Sequence, residues 1–307
     1  MSKFCSLEFQ VLKILQNKGI NRVPSLYFIL FSGGKDSTVL VNIFWKLAQY
    51  SSMEIQIIHF NHQTRGEENK IEMQHVQDFC EQRNLPLQVL FYEGKEKSQE
   101  NLRNWRRDEC QKILTLNTSP KPKWLVTGHH IQDLAETLLF NLIRGTGLPG
   151  LASLKEVSGH WLKPLLQIHP EDMENYRKTQ KLDFKEDSSN GTLKYTRNVI
   201  RQSVLPEILK INPNFFQKAF QLNQTVQKYV CNGESQKEFL MLTLDTTQTH
   251  IYEYLRNQGY LASRQSVVQN IFEHVQKHLK QKKNYTIPLN RKNSAYISNC
   301  RLVFMAT

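Results

Sequence analysis

A short segment with two adjacent glycines holds the residue types that bind phosphate. It reads FSGGKDST over residues 31–38 and follows the apolar run at 26–30, which predicts a buried strand, a tight turn and a helix beginning near Asp36. Glycine permits backbone conformations that turn amide N–H groups toward an anion, and a helix N-terminus adds donors without partners. We therefore expect a phosphate site formed by Ser32, Gly33, Gly34, Lys35, Asp36, Ser37 and Thr38, with Asp36 as a ligand for Mg²⁺.

The segment is not a Walker A loop, because that motif places Gly-Lys directly before Ser or Thr. Here Lys35 precedes an aspartate. A structural elbow between a strand and a helix, without any ligand, is the alternative that the loop alone leaves open.

Polar side chains follow two further predicted strands. The strand at 55–60 leads into His59, Asn61, His62 and Arg65, which could contact a nucleotide, although histidines at a strand end are often structural. The strand at 124–128 leads into His129, His130, Asp133 and Glu136. The two carboxylates lie three residues apart and share one helix face, so they could hold an ammonium group, assist Mg²⁺ or act as a base. The same spacing is also common on solvated helices.

Arginines at helical spacing are candidates for phosphate contacts. Arg103 and Arg106 fall on one broad face of the predicted helix at 99–116, and Arg197 and Arg201 lie four residues apart on another helix. Arg144 begins a glycine-rich segment. For the helix at 99–116, a solvated basic face is the alternative.

The elements that must position these residues alternate along the first two hundred residues. Strand patterns at 26–31, 55–60, 87–92 and 124–128 are separated by helical patterns at 37–50, 67–84 and 99–116. This order predicts an α/β fold with a Rossmann-like, doubly wound parallel sheet, whose ligands bind beyond the carboxyl ends of the strands. After Pro213 the pattern changes to polar helices and then to terminal strands. We therefore expect a catalytic domain at 1–215 and a mostly helical domain at 216–307 that ends in short strands.

The charge distribution favours a polyanionic partner. The chain has 307 residues and a net charge of +12, and residues 201–307 hold fourteen Lys and Arg against six Asp and Glu, a net +8. Nucleic acid is the first candidate, with a merely soluble basic surface as the alternative. The five cysteines are scattered and form no Cys-x-x-Cys pair, which argues against a disulfide framework, a zinc site or an iron–sulfur cluster.

Neither a signal peptide nor a membrane span is expected. The first ten residues lack a long apolar core and include Glu8, and no apolar stretch is long enough to cross a bilayer. No protein partner is evident. The composition, rich in Lys, Asn, Gln and Ile, suggests an AT-rich genome, so we expect a bacterial cytoplasmic protein or one of the plastid stroma.

Eight ordered segments resemble the tRNA(Ile)-lysidine synthetase family, a branch of the N-type ATP pyrophosphatases, or PP-loop enzymes. They are SGGKDS at 32–37, HFNHQTRGE at 59–67, RNWR at 103–106, GHHIQDLAET at 128–137, RGTGLPGL at 144–151, KPLL at 163–166, EDSSN at 186–190 and YTRNVIR at 195–201. The resemblance covers about residues 25–215. The region beyond 220 is similar to the family's first C-terminal domain only in length, helical character and terminal strands.

The resemblance implies a reaction in two steps. ATP would adenylate O2 of the wobble cytidine in an isoleucine tRNA with a CAU anticodon, and free L-lysine would then displace AMP from carbon 2. Asp36 would hold Mg²⁺, Arg103 would meet the α-phosphate with Arg106 second, and Asp133 and Glu136 would bind and help deprotonate the lysine. Further ATP contacts would come from His59, Asn61 and His62, and substrate contacts from Arg65, His129, His130, Arg144, Arg197 and Arg201.

The chain departs from the family pattern at three positions. Gln132 stands where the family usually has the first of two adjacent aspartates, Lys163 replaces a common arginine, and Arg107 replaces a frequent tyrosine. The chain also ends before the second C-terminal domain of longer members, so we expect reduced docking on the tRNA acceptor stem. A tRNA thiolase and a non-catalytic, nucleotide-dependent RNA-binding module are the alternative functions.

Overall fold

The computed structural model describes residues 5–63, 67–94, 96–185, 196–232, 239–241, 246–257, 265–281, 283–288, 293–298 and 301–306. The chain divides into two compact units, unit 1 at Met1–Gln227 and unit 2 at Lys228–Thr307. No helix among these described residues is long and apolar enough to cross a membrane.

Unit 1 is built on a six-stranded sheet in the order β3-β2-β1-β4-β6-β5. All neighbours are parallel except the edge strand β5, which runs antiparallel to β6. The strands are β1 Ser25–Leu30, β2 Met53–Asn61, β3 Leu87–Phe91, β4 Lys123–Val126, β5 Val157–Ser158 and β6 Trp161–Leu162.

Helices bury both faces of this sheet. In β1, Tyr27 and Ile29 join one hydrophobic cluster, whereas Leu26 and Phe28 join another, because successive side chains of a strand point to opposite faces. The helices of this unit are α1 Ser6–Asn17, α2 Lys35–Ala48, α3 Glu67–Glu81, α4 Gln99–Leu116, α5 Ile131–Ile143, α6 Leu148–Leu151, α7 Pro170–Thr179, α8 Thr196–Val199, α9 Leu205–Ile211 and α10 Phe215–Asn232. One π-helical turn, Ile200–Val204, joins α8 to α9.

Unit 2 has its own core. An antiparallel sheet in the order β7-β10-β9-β8 packs with two amphipathic helices, and Ile251, Leu255, Ile271, Val275 and Leu302 are completely buried between them. The elements are β7 Phe239–Met241, α11 Gln248–Asn257, α12 Gln265–Gln281, β8 Tyr285–Pro288, β9 Asn293–Ser298 and β10 Arg301–Ala306.

The predicted fold class is confirmed: unit 1 is a doubly wound, mainly parallel sheet, and the C-terminal part ends in short strands. The two compact units divide after residue 227, whereas the sequence pattern placed the domain boundary after 215. The difference arises because Phe216, Ala219 and Phe220 of α10 are buried against α5 in unit 1. The four strand patterns found in the sequence of unit 1 are joined in the structure by a fifth parallel strand of two residues, β6.

Candidate active site

The strand order reverses between β1 and β4, which are neighbours in the sheet although β2 and β3 lie between them in the chain. A crevice forms at such a switch point beyond the carboxyl ends of the strands. Here it is a cavity of about 420 Å³. It is lined by Leu30, Phe31, Ser32, Asp36, Ser37, His59, Phe60, Asn61, His62, Asn69, Glu72, Arg106, Thr127, Gly128, His129 and Asp133.

The glycine loop forms an anion site at the N-terminus of α2. Gly33 has a positive φ of 78°, which favours glycine, and a Cβ there would meet Val76 at 3.2 Å. Gly34 is the N-cap of α2 and makes no side-chain capping bond, so the first amides of the helix keep their capacity to donate. The hydroxyls of Ser32 and Ser37 lie 3.0 Å apart beside them. Backbone amides and hydroxyls thus converge where phosphate oxygens could bind.

Two predicted loop residues point elsewhere. The Thr38 hydroxyl is buried and donates to the Gly34 carbonyl at 3.0 Å, so it braces the turn. Lys35 Nζ lies 3.1 Å from Glu174 of α7. Hydrogen bonds from Arg177 and Lys35 lower the pKa of Glu174 to about 2, so this carboxylate is charged and holds the lysine at neutral pH.

Asp36 is held between the loop and α5. His130 Nδ1 accepts the Gln132 amide at 3.3 Å, which leaves the imidazole proton on Nε2, 3.5 Å from Asp36 Oδ2. Burial opposes the charged form of Asp36, but the hydrogen bond from His130 and nearby cationic charge outweigh burial and lower its pKa. Asp36 is therefore an ionised carboxylate that faces the cavity. His130 positions it and caps α5, and is not itself among the cavity-lining residues.

The carboxylate pair on α5 is engaged by an arginine. Glu136 is 1% exposed and accepts from Arg201 Nε at 2.5 Å and Nη2 at 3.0 Å. Arg201 Nη2 also donates to Asp133 Oδ1 at 3.2 Å. Asp133 Oδ2 accepts the His130 amide at 2.9 Å and completes a capping box. Gln132 adds a further bond to Glu136 Oε1 at 3.1 Å. Of the pair, Asp133 lines the cavity and Glu136 does not.

Two histidines of the cavity, His59 and His129, are neutral and hydrogen-bonded. His59 bonds through Nδ1 to the Phe31 carbonyl at 2.9 Å, and burial lowers its pKa. His129 bonds to the Thr127 hydroxyl at 2.9 Å, and burial lowers its pKa to about 4. Both rings line the cavity, so each offers a neutral imidazole to a ligand.

The second strand exit is braced by an aromatic cluster. The Trp105 ring contacts His62 at 5.6 Å and Phe60 at 5.3 Å between centroids. Asn61 Oδ1 accepts the Gln63 amide at 3.0 Å and the Asn69 side-chain amide at 3.2 Å. These contacts fix the wall on which a nucleotide base could rest.

The predicted arginines reach different places. Arg106 lines the cavity and Arg103, although exposed on the same helix, does not. Arg197 donates to the Thr137 hydroxyl at 2.7 Å, and the Arg144 guanidinium lies 5.2 Å from the Phe140 ring. Arg65 lies outside the described residues.

The sequence analysis did not name the two polar residues of α3 that line the cavity, Asn69 and Glu72. Both belong to the first turns of α3, directly after the second strand exit. Their spacing of three residues on one helix face was a usable signal.

The donor set fits one hydrated Mg²⁺ rather than a protein cage. No group of three or more His, Cys, Asp or Glu that could hold a metal occurs in the part of the chain that the structure describes. Mg²⁺ is usually bound by one or two carboxylates together with waters and substrate phosphates. Asp36, which lines the cavity beside the glycine loop, provides one such carboxylate.

Comparisons with known proteins identify the family of the chain. Residues 6–208 match the PP-loop domain family. The chain is 30% identical over 232 residues to a tRNA(Ile)-lysidine synthase of Petrotoga mobilis, covering 72% of both chains. It is 33% identical to that of Enterococcus faecalis and 35% identical to that of Francisella tularensis subsp. holarctica. These matches cover 61% and 63% of this chain but only 41% and 48% of those relatives, so the chain spans under half of their length.

A solved structure shares the fold. The U34-tRNA thiolase NcsA from Methanococcus maripaludis, which carries a [4Fe-4S] cluster, has a TM-score of 0.61 and 16% sequence identity. The likeness covers 85% of this chain and 92% of that chain. At this identity the likeness concerns the architecture alone.

Proposed function

This chain belongs to the tRNA(Ile)-lysidine synthase family of PP-loop proteins, and we propose that it joins free L-lysine to the wobble cytidine of an isoleucine tRNA with a CAU anticodon. Cytidine O2 attacks the α-phosphate of ATP, the bond to the β-phosphate breaks, and diphosphate leaves. The lysine ε-amine then attacks carbon 2 and AMP departs with the oxygen. The product pairs with A rather than G, so decoding changes from AUG to AUA and the tRNA identity from Met to Ile.

The observation that carries the proposal is the convergence in one cavity of an anion site, an ionised carboxylate, an arginine and a second carboxylate. Ser32, Asp36, Ser37, Arg106 and Asp133 all line it. An ATP-dependent transfer to RNA needs a phosphate cradle, charge stabilisation at the α-phosphate and a site for the incoming amine. The cavity contains a candidate for each.

The glycine loop would hold the diphosphate part of ATP. The uncapped amides of α2 favour negative charge through their unpaired donors and the helix dipole. Asp36 would hold Mg²⁺, which supplies charge stabilisation to the phosphates when bound. Arg106 is the arginine best placed for the α-phosphate, because it reaches the cavity from α4. Arg103, one helical turn earlier and the first choice from the sequence, becomes the second candidate.

The lysine would enter beside Asp133. The structure differs here from the expectation that both carboxylates face the substrate, because Glu136 is buried and bound by Arg201. We place the substrate ammonium on Asp133, which has its carboxylate at the cavity wall. Glu136 then acts by fixing Arg201. The bound amine must lose its proton before it attacks, since only the neutral amine is nucleophilic.

The RNA would approach over basic surface. The target base must leave the anticodon stack to reach a cavity at the sheet edge, as base-modifying enzymes require. Exposed Arg103, Arg107 and Arg144 in unit 1 and the positive charge of the C-terminal third would contact its phosphates.

The alternative functions have less support. A thiolase of the cluster-dependent kind needs reactive cysteines at the site, but the three described cysteines, Cys5, Cys80 and Cys110, do not line the cavity. Burial raises the pKa of Cys80 and Cys110 to about 12, so neither is a thiolate at neutral pH. A non-catalytic module would not require the ionised Asp36 beside the phosphate loop.

The test is incorporation of radiolabelled lysine into an isoleucine tRNA transcript with a CAU anticodon, with ATP and Mg²⁺. We expect incorporation that depends on ATP and releases AMP and diphosphate in equal amounts. A transcript with a GAU anticodon is the matched control and should accept none. Absence of incorporation, or sulfur transfer instead, would contradict the proposal.

A further inference from the structure

Unit 1 has a second cavity of about 510 Å³ between helix α4 and the end of the sheet that carries β6. None of its lining residues lines the first cavity. They are Asn104, Arg107, Asp108, Cys110, Gln111, Leu125 and Trp161. The volume lies in the range of cavities that hold small ligands such as a nucleotide.

One wall of this cavity is a fixed aromatic ring. Trp161 of β6 is partly exposed, its backbone pairs with Leu125 of β4, and its side chain packs against the cluster that contains Leu125 and Cys110. Leu125 and Cys110 are each about 1% exposed and form the apolar base of the cavity. A supported, partly exposed indole is a surface on which a base can stack without the cost of ordering a flexible side chain.

The other wall carries hydrogen-bonding groups on α4. Asn104 and Arg107 are exposed, and neither side chain has a hydrogen bond or ion pair with any described residue. Gln111, one turn further on, makes one long side-chain contact, 3.5 Å to Thr115. Two amides can read the edge of a base, and a guanidinium can bind a phosphate or stack on the base.

Adjacent arginines connect the two cavities. Arg106 lines the first and Arg107 the second, so α4 presents one guanidinium to each. A strand whose target base enters the first cavity would cross α4 at these residues. The chain's net charge of +12 favours a polyanion over an uncharged protein segment as the occupant.

We propose that the second cavity binds one unpaired nucleotide of the RNA substrate, other than the target cytidine, with its base stacked on Trp161 and its phosphate or base edge held by Arg107. The inference rests on the proposed function, because the same RNA must enter both cavities. It assigns to unit 1 a share of substrate recognition that does not depend on unit 2.

The test uses the full chain and an anticodon stem–loop RNA with a CAU anticodon, titrated at fixed salt. We expect Trp161→Leu to weaken binding about tenfold, in keeping with the contribution of one stacked base, and Trp161→Phe to retain most of the affinity. Arg107→Gln should weaken binding several-fold. Lys112→Gln is the matched control, because it removes one positive charge from the same helix outside both cavities, and it should change affinity less than twofold.

Abasic substitutions in the RNA loop provide the second arm. One abasic position should weaken binding to the wild type about tenfold and leave binding to Trp161→Leu unchanged. If Trp161→Leu does not fold, the Arg107→Gln and Lys112→Gln comparison and the wild-type abasic series decide. Unchanged affinity in all variants, or altered self-association without altered RNA affinity, would overturn the second site.

The two proposals fail separately. Lysine incorporation by the wild type with no effect of Trp161 or Arg107 variants would overturn the second site and leave the function standing. Variant-sensitive RNA binding without lysine incorporation would overturn the function and support the site. Absence of RNA binding by the wild type would overturn both.

Discussion

The ion pair between Glu136 and Arg201 decides how the carboxylate pair on α5 is used. Glu136 is 1% exposed and binds the guanidinium through both oxygens at 2.5 and 3.0 Å, whereas the Arg201 side chain is 36% exposed. Exposed ion pairs contribute about 0.2–1 kcal/mol, and removing one partner of a buried pair costs about 3–5 kcal/mol. The pair has one buried and one partly exposed partner, so its contribution to stability lies between these two limits. We therefore expect a coupling free energy of about 2 kcal/mol.

A double-mutant cycle measures this coupling. Glu136→Gln, Arg201→Met and the double variant are unfolded in urea and followed by tryptophan fluorescence. All four tryptophans, Trp45, Trp105, Trp124 and Trp161, lie in unit 1, so the signal reports the unfolding of that unit. With a slope of about 2 kcal/mol per molar urea, a coupling of about 2 kcal/mol corresponds to about 1 M in the midpoint.

Arg197→Met is the control, because Arg197 contacts a hydroxyl, at 2.7 Å, and not the buried carboxylate. It should change the free energy of unfolding by less than about 0.5 kcal/mol. A coupling below about 0.5 kcal/mol between Glu136 and Arg201 would refute the reasoning.

Three further predictions concern ATP, RNA and pH. Asp36→Ala should abolish RNA-dependent diphosphate release while tRNA binding persists, because the Mg²⁺ ligand is lost; release retained at saturating Mg²⁺ would contradict the assignment. Truncation after residue 227 should preserve ATP binding but lower tRNA affinity and flatten its salt dependence, since residues 228–307 hold eleven Lys and Arg against five Asp and Glu; equal affinity and slope for both proteins would show that this region does not bind tRNA. The His129 pKa of about 4 lies below the value near 6.5 expected when unfolded, so the unfolded state binds more protons and the free energy of unfolding should fall from about pH 6.5 toward pH 4. His129→Gln should lessen this fall, and an unaltered pH profile would argue against a buried neutral imidazole.

Local patterns in the sequence were sufficient to predict the sheet and the phosphate loop. Apolar runs bounded by polar residues mark β1, β2, β3 and β4, because each strand is buried on both faces by the helices that separate them along the chain. The glycine pair marks the turn, since Gly33 needs a positive φ and lies against Val76. The polar residues at the strand ends then predict where the site lies, because the carboxyl ends of parallel strands lie along the same edge of the sheet.

Contacts between residues far apart in the sequence could not be predicted from such local patterns. Strand β6 has two residues, too few for a periodic signal, yet it places Trp161 at the second cavity. The pairing of Lys35 with Glu174 joins residues 139 positions apart and takes a predicted phosphate ligand away from the loop. Likewise, Arg201, which binds Glu136, lies in a π-helical turn, which helical spacing alone does not predict.

The hydrogen bonds of Gln132 give a physical reason for a glutamine at this position. Its side-chain amide donates to Glu136 Oε1, the oxygen that also accepts from Arg201 Nε, and its backbone amide donates to His130, which positions Asp36. An aspartate at 132 could not donate through its ionised side chain and would bring a third carboxylate beside Asp133 and Glu136. Gln132 therefore keeps the number of carboxylates beside Arg201 at two, and its side chain adds a neutral donor to Glu136.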